Sequence, residues 1–411
     1  MENYTFIKTL FYIILSKKIL FLTTHNLATN PRLVKEIRLA LSIGNSVELI
    51  CFEFDNWSKE LNVVLKQQLV GVKILTIPAG RKPFFSWLQS VISERFFRIL
   101  GNYISLPSTL LSQAVSRRSN LLLHSLKKVS KPDLVIGHNP GAIWPSIVAG
   151  KIFNCKTGFD VEDYHPGEGD ELNLQILTRL LMKRMLPKID YVSFASPLIM
   201  QAVKSDIKSS ILNSISIFNY FPVDDFREPY MLNSGPFKLV WFSQNITAGR
   251  GLEFVLPFVR QEVGNIELHL IGNLDTDFYL SSLSSIPNVI IHGVMSQKAL
   301  HLQLGNFDIG LALEPAKDEN NDLAISNKML AYLQAGLFVV ATNTKAQESY
   351  LGELPNHGIC FDYKNNDSSN VLNNVIAQVD SIRAKRIIRY MDFKNRNWEN
   401  ESVRLLNEWN N

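Results

Sequence analysis

Cysteine is scarce in this chain, and what there is lies scattered. Cys51, Cys155 and Cys360 are the only three in 411 residues. Their separation excludes metal-site and redox spacings and reads most simply as free thiols in a reducing cytoplasm. An excess of one charge is missing as well: 42 Lys and Arg stand against 38 Asp and Glu. The net charge of +4 does not argue for nucleic acid at this length, and no nucleic-acid motif stands out. Long apolar runs are absent. The nearest, residues 6–22, is interrupted by Lys8, Lys17 and Lys18. It is too short and too charged to span a membrane, and it lacks the small-residue cleavage site of a signal peptide. Residues 18–22 read as a first strand and residues 1–16 as an extension: a surface helix, a membrane-touching segment or a mis-assigned start. Internal repeats and low-complexity tracts are also missing.

What is present is apolar material for large cores. Hydrophobic residues make up 46% and charged residues 19%, a balance that excludes disorder. The length suggests two domains of roughly 200 residues each. Strand-like and helix-like segments alternate throughout, which argues for α/β units with parallel sheets. The first half runs KILFLTT, a helical pattern over 31–43 with Asn30 as cap and Pro31 in its first turn, then SVELICF, DLVIGHN, CKTGFDVED and DYVSFAS. Residues 219–235 are rich in turn formers and lack periodicity, so the domain junction is placed there, between residues 222 and 223. The second half restarts with KLVWFS and continues IELHLIGN, NVIIHG, DIGLAL, FVVAT and GICFDY. Residues 381–409 read as helical.

The most informative stretch is 308–342. It reads as a strand (309–313), an acidic loop, a helix and a second strand (338–341). Ser326 is placed to cap the helix, Met329, Leu330 and Leu333 recur at helical spacing, and Gly336 ends it. Ser326, Asn327 and Lys328 thus reach a helix N-terminus at the carboxyl end of a parallel strand, where an anion such as a diphosphate is favoured. Of the loop carboxylates, Glu314 is best placed because it ends the strand, while Asp318 and Glu319 read as solvated. A second anion-binding candidate is VWFSQNITAGRGLEFVL, where a strand ends at Phe242, a polar loop carries Gln244 and Asn245, and a helix begins near Gly251 with Arg250 at its start.

Three further segments carry candidates. Gly272 and Gly293 allow close backbone approach or simply form turns. In THNLATNPRLVKEI, Arg32 stands at a helix start, to meet phosphate or acceptor or to pair with Glu36 at helical spacing. GHNPGA offers Asn139, and FDVEDYHPGE gathers Asp160, Glu162, Asp163 and His165, for proton transfer or as a hydrogen-bonded loop of structural carboxylates. The spacing fits no firm metal template. In RKPFFSWLQSVISERFFRILGNY, residues 81–103, Phe84, Leu88, Val91 or Ile92, Phe96 and Ile99 share a helical face and Arg81, Lys82, Arg95 and Arg98 add positive charge. Such a helix belongs to a core or lies on an anionic membrane surface.

The order of an aspartate-led strand, SNK, a helix ending in AG, and VVAT is similar to the donor-binding segment of family 4 retaining glycosyltransferases, and other pieces of that pattern follow in order along nearly the whole chain. The resemblance implies the GT-B fold: an acceptor-binding Rossmann-like domain over 1–222, a nucleotide-sugar domain over 223–385, the two facing a cleft, and a helix over 386–411 that crosses back to the first domain. It implies transfer of a sugar from a nucleotide-diphosphate sugar to a hydroxyl acceptor with retention. Arg250 and Lys328 would stabilise the leaving diphosphate, and Glu162 and His165 would act near the acceptor. Gln244, Asn245, Gly251, Gly272, Gly293, Val294, Glu314, Ser326 and Asn327 would hold the donor, with Arg32, Asn139 and Asp160 toward acceptor or phosphate. Neither cofactor nor metal is implied, since the nucleotide sugar is a co-substrate. The implied setting is lipid-linked or surface-polysaccharide assembly at the cytoplasmic face of a membrane. The chain departs from the family where relatives read EYLAAG, because Ala331 stands where a glutamate usually meets the ribose. A nucleotide-sugar epimerase of the same fold and an inactive glycosyltransferase-like binding protein are the alternatives.

Overall fold

The computed structural model describes residues 16–208, 213–230, 235–365 and 367–410. The expected N-terminal extension therefore lies, up to residue 15, outside the described residues. The chain divides into two compact units, Met1–Ile217 with Arg404–Asn411, and Phe218–Val403.

The first unit is built on a seven-stranded sheet of order β3-β2-β1-β4-β5-β6-β7. Its strands are β1 (Lys18–Thr23), β2 (Ser46–Glu53), β3 (Val72–Pro78), β4 (Leu134–His138), β5 (Lys156–Val161), β6 (Tyr191–Phe194) and β7 (Ser214–Ser216). All pairings are parallel. Helices cover both faces of such a sheet, so its central strands are continuous apolar runs; Ile19, Leu20, Phe21 and Leu22 are all fully buried. The register sets Thr23 beside His138 and His138 beside Asp160, which brings three polar residues to the carboxyl ends of neighbouring strands. Asn30 caps the helix Pro31–Ser42 by accepting from the Leu33 amide at 3.1 Å. Strands β3 and β7 were not among the segments the sequence pattern picked out. β3 is an edge strand with no buried residue, so its alternation is weak, and β7 has only three residues.

The second unit repeats the winding with six strands, β10-β9-β8-β11-β12-β13. These are β8 (Phe237–Ile246), β9 (Ile266–Leu274), β10 (Val289–His292), β11 (Ile309–Ala312), β12 (Phe338–Thr342) and β13 (Gly358–Phe361). β8 does not end at Phe242 as expected. It runs on through a bulge between Phe242 and Asn245, which lifts Gln244 and Asn245 out of the loop and onto the strand end. The bulge explains Gly272 on β9. Its φ is 150°, and a Cβ there would lie 2.1 Å from the Ser243 carbonyl oxygen. The close approach at Gly272 is thus between two strands.

The turn-rich segment after residue 217 belongs to the second unit rather than to a solvated linker. Tyr220, Phe221 and Phe226 are buried in the core with Leu330, Leu333 and Tyr390. Phe221 and Gln334 exchange hydrogen bonds, backbone N–H to side chain at 2.9 Å and side chain to carbonyl at 3.0 Å. At the other end, the expected helical run breaks into Val379–Ala384, Arg386–Phe393, Trp398–Glu401 and Val403–Asn410. Arg386 donates to the Gly305 and Phe307 carbonyls at 2.7 and 2.8 Å, and Arg389 to that of Gly336 at 3.1 Å, so the Arg386–Phe393 helix stays in the second unit. The chain rejoins the first unit from Arg404, where Trp409 donates to the Tyr191 hydroxyl at 2.8 Å. Among the described residues no helix is long and apolar enough to cross a membrane.

Candidate functional site

In each sheet the strand order reverses between the first strand and its outward neighbour, β1/β4 in one unit and β8/β11 in the other. The carboxyl ends at such a switch point form the usual ligand crevice of a doubly wound sheet.

In the second unit the loops leaving β8 and β11 meet there. Gly251 has φ 93°, and a Cβ on it would lie 2.8 Å from Leu313 Cβ and 3.0 Å from the Leu313 carbonyl oxygen. Only glycine lets the two loops close this far, and the contact brings Arg250 toward the end of β11. Arg250 does not open a full helix: a short 3-10 turn, Leu252–Phe254, and the six-residue helix Leu256–Gln261 follow it. Its guanidinium is exposed and donates to Ser243 Oγ at 2.9 Å. The backbone N–H groups of Gly249 and Gly251 point at an anion already, the carboxylate of Glu253, with Gly251 N at 3.2 Å.

Across from this turn begins the eight-residue helix Asn327–Gln334. Ser326 occupies the cap position, yet its hydroxyl does not cap; it donates to Glu314 Oε1 at 2.9 Å. Lys328 is ion-paired with the same oxygen, and its ammonium lies 5.9 Å from the centre of the Trp241 ring. Glu314 is fixed in turn by Thr342, whose hydroxyl accepts from the Glu314 amide at 2.9 Å and donates to its carbonyl at 2.8 Å. Asn327 Oδ1 accepts from Asn219 at 2.9 Å. The helix ends at Gly336, φ 76°, where a Cβ would meet the Arg386 carbonyl oxygen at 2.7 Å. Arg250, Glu314 and Ser326 thus stand on the two loops that close the switch point, with Asn327 and Lys328 in the first turn of the helix that follows. Gly293 has open space around it and Val294 is 72% exposed on the loop after β10. Ala331 is fully buried.

The first unit handles its switch point differently. Arg32 and Asp160, expected to face acceptor or phosphate, are both fully buried and bind each other, with Arg32 Nε 2.9 Å from Asp160 Oδ1. Arg32 also donates to the Ile217 carbonyl at 2.7 Å, and Glu36 lies 3.9 Å from it. Both groups are therefore out of reach of a solvent-borne anion. His138, absent from the sequence candidates, completes the cluster at 3.5 Å from Glu36 and 3.7 Å from Asp160. Burial opposes its charge, but Glu36, then Asp160 and Glu162, outweigh burial and raise its pKa. Asn139 adopts φ 69° and accepts from Thr23 Oγ1 at 2.7 Å.

Glu162 and His165 lie just beyond this buried cluster. Burial first, then the charges of Asp163 and Asp160, push the Glu162 carboxyl up to about 7. His165 Nδ1 lies 2.9 Å from Glu168 Oε2. Burial opposes the protonated ring, and the bond and charge of Glu168 overcome it to raise the His165 pKa. His25, on the loop after β1, was also missed. Burial, with Arg118 and His165 adding repulsion, lowers its pKa to about 4. Nothing in the local pattern marks Glu36, His138 or His25 as partners of residues more than a hundred positions away. Among the described residues no three His, Cys, Asp or Glu side chains converge as metal ligands would.

No family model matches the chain, and no curated protein matches it in sequence. Solved structures do match in fold. HepE of Anabaena, solved in complex with UDP, superposes with a TM-score of 0.64 at 13% identity, over 95% of this chain and 99% of that one. Sucrose-phosphate synthase of Thermosynechococcus elongatus gives 0.66 at 12%, over 96% and 98%. The lipopolysaccharide outer core galactosyltransferase WaaB gives 0.57 at 15%, over 94% and 99%. At these identities the likeness is one of fold, and with its two doubly wound parallel sheets the chain has the GT-B fold.

Proposed function

We propose that the chain is a glycosyltransferase resembling family 4, moving a sugar from a nucleotide-diphosphate sugar to a hydroxyl acceptor with retention of configuration. The observation that carries this reading is the group at the second switch point. An exposed Arg250, Lys328 in the first turn of a helix without a side-chain cap, and a two-glycine turn whose amides a diphosphate would take over from the Glu253 carboxylate supply positive charge and backbone donors. Such groups stabilise the charge that develops on a leaving diphosphate. Glu314 and Ser326 would orient Lys328, and the loop of Gly293 and Val294 would receive the base. The first unit would present the acceptor near Glu162 and His165, where a carboxyl raised to about 7 suits proton removal from a hydroxyl. HepE with UDP supports a nucleoside diphosphate as the leaving group, and WaaB, a lipopolysaccharide outer core galactosyltransferase, supports a surface-glycan acceptor. No metal and no cofactor enters this scheme.

One observation favours a second reading, a protein that binds nucleotide without transfer: Ala331 is buried where the resemblance calls for a ribose-binding glutamate. Calorimetry with UDP, GDP, ADP and CMP in the absence of added metal tests the donor site. Binding of one diphosphate, lost in the Arg250→Ala/Lys328→Ala double variant, is the expected result. Unchanged affinity in that variant would sink the assignment. A donor sugar incubated alone distinguishes the rest. Slow hydrolysis fits a transferase, an epimerised sugar fits the epimerase, and binding with neither fits the inactive protein.

A further inference from the structure

The helix Phe84–Leu100 has 17 residues, ten of them Phe, Trp, Leu, Val or Ile, and buries none of them. Trp87, Leu88, Val91, Phe97 and Leu100 are half-buried, so one side of the helix packs inward while the other stays bare. Its inner side is tied down by polar bonds: Arg98 Nε donates to the Ala114 carbonyl at 3.1 Å and Arg98 Nη1 to Glu171 at 3.0 Å. Its outer side is a stripe at helical spacing, with Phe84, 53% exposed, at its edge. Phe85 is 83% exposed, Ile92 58%, Phe96 57%, Ile99 60% and Tyr103, just past the helix end, 80%. A continuous apolar stripe on the surface marks a place where something docks.

The charges say what. The one acid of the helix, Glu94, is turned away from the stripe, 3.3 Å from Arg98 and accepting from the Arg117 amide at 3.0 Å. Arg95 is exposed within the stripe, Lys82 is exposed just before it, and Arg81 rests 5.6 Å from the centre of the Trp87 ring. The outward face is thus aromatic and aliphatic with cations and without a carboxylate. Two copies meeting symmetrically on this face would bring like charges together, whereas a sheet of anionic headgroups over acyl chains complements both features. We propose that this helix docks the protein on an anionic membrane surface, lying in the headgroup plane with Phe85, Ile92, Phe96 and Ile99 inserted. The inference is independent of the donor and the acceptor.

Co-sedimentation of the full chain with phosphatidylcholine vesicles, with and without phosphatidylglycerol, tests it. Binding is expected only with the anionic lipid and should weaken as salt rises. Phe85→Ser/Phe96→Ser should lower vesicle affinity by about tenfold or more, and Lys82→Glu/Arg95→Glu by at least about fivefold per cation removed. Neither variant should change the melting temperature, because the altered side chains are exposed. Equal binding to both vesicles, or wild-type binding by Phe85→Ser/Phe96→Ser, overturns the proposal. So does a lipid-free dimer by sedimentation velocity that this variant converts to monomer, since a second copy would then cover the stripe.

Discussion

The two units wind their sheets in the same order, yet they treat charge at the carboxyl ends of the strands in opposite ways. The first buries it: Arg32, Glu36, His138 and Asp160 sit at the β1/β4/β5 end with almost no access to solvent. The second leaves part of it at the rim: Arg250 is exposed and Glu314 half-buried, while Lys328 is buried against Glu314. A buried ion pair is committed to the fold, because losing one partner leaves the other charge stranded. A rim charge contributes little to stability and keeps its hydrogen-bonding capacity for a ligand. One topology therefore carries a structural cluster at one switch point and a candidate anion site at the other.

That contrast can be broken most forcefully at Asp160. Asp160→Ala should destabilise the first unit by about 3–5 kcal/mol, read by chemical denaturation, since it strands the Arg32 guanidinium in the interior. A loss below about 1 kcal/mol would mean that the cluster relaxes into water and is not structural.

Glu162, at the margin of that cluster, joins structure to chemistry. If it removes the acceptor proton, Glu162→Gln should slow transfer by about 10²–10⁴-fold. The wild-type rate should then fall as pH drops below about 7, where the carboxyl becomes protonated. Its folded pKa is raised from 4.5, so its contribution to stability is present below 4.5 and is lost as pH rises through about 7. The stability of wild type relative to Glu162→Gln should accordingly decline across that window. A flat difference in stability together with an unchanged rate profile would remove Glu162 from both roles.

A smaller effect sharpens the second unit. Gly272→Ala forces a Cβ toward the Ser243 carbonyl oxygen, 2.1 Å away, at a φ that side chains avoid. It should destabilise the β8 bulge by about 1–3 kcal/mol and weaken diphosphate binding only through displacement of Arg250. Full stability in this variant would show that the strand end can shift freely. The smallest effect is expected at Arg250 itself. Arg250→Ala should change unfolding free energy by no more than about 0.5 kcal/mol. A loss comparable to that of Asp160→Ala would erase the distinction between the two units.

Much of the architecture was legible because apolar period and turn residues are local signals. The Asn30 cap and most strand segments from KILFLTT to GICFDY lie where pattern and cap chemistry put them, and the helix between Ser326 and Gly336 where its apolar period does. The edge strand β3 was missed because an exposed strand need not be apolar. Residues 219–235 looked like a linker because their turn formers outnumber their aromatics, although Tyr220, Phe221 and Phe226 are core. The candidate site was legible only in part. Arg250, Glu314 and Lys328 could be named, but not the Ser326–Glu314 bond that takes the place of a helix cap.

The sequence by itself determined the α/β alternation, the two-unit organisation and the loops that carry polar residues to strand ends, since each depends on neighbours within a turn or a strand. Tertiary structure alone decided which charges are committed to the fold. Arg32 and Asp160 are 128 residues apart, and whether a charge faces water or a buried partner depends on how distant strands come into register. A local window of sequence does not contain that information.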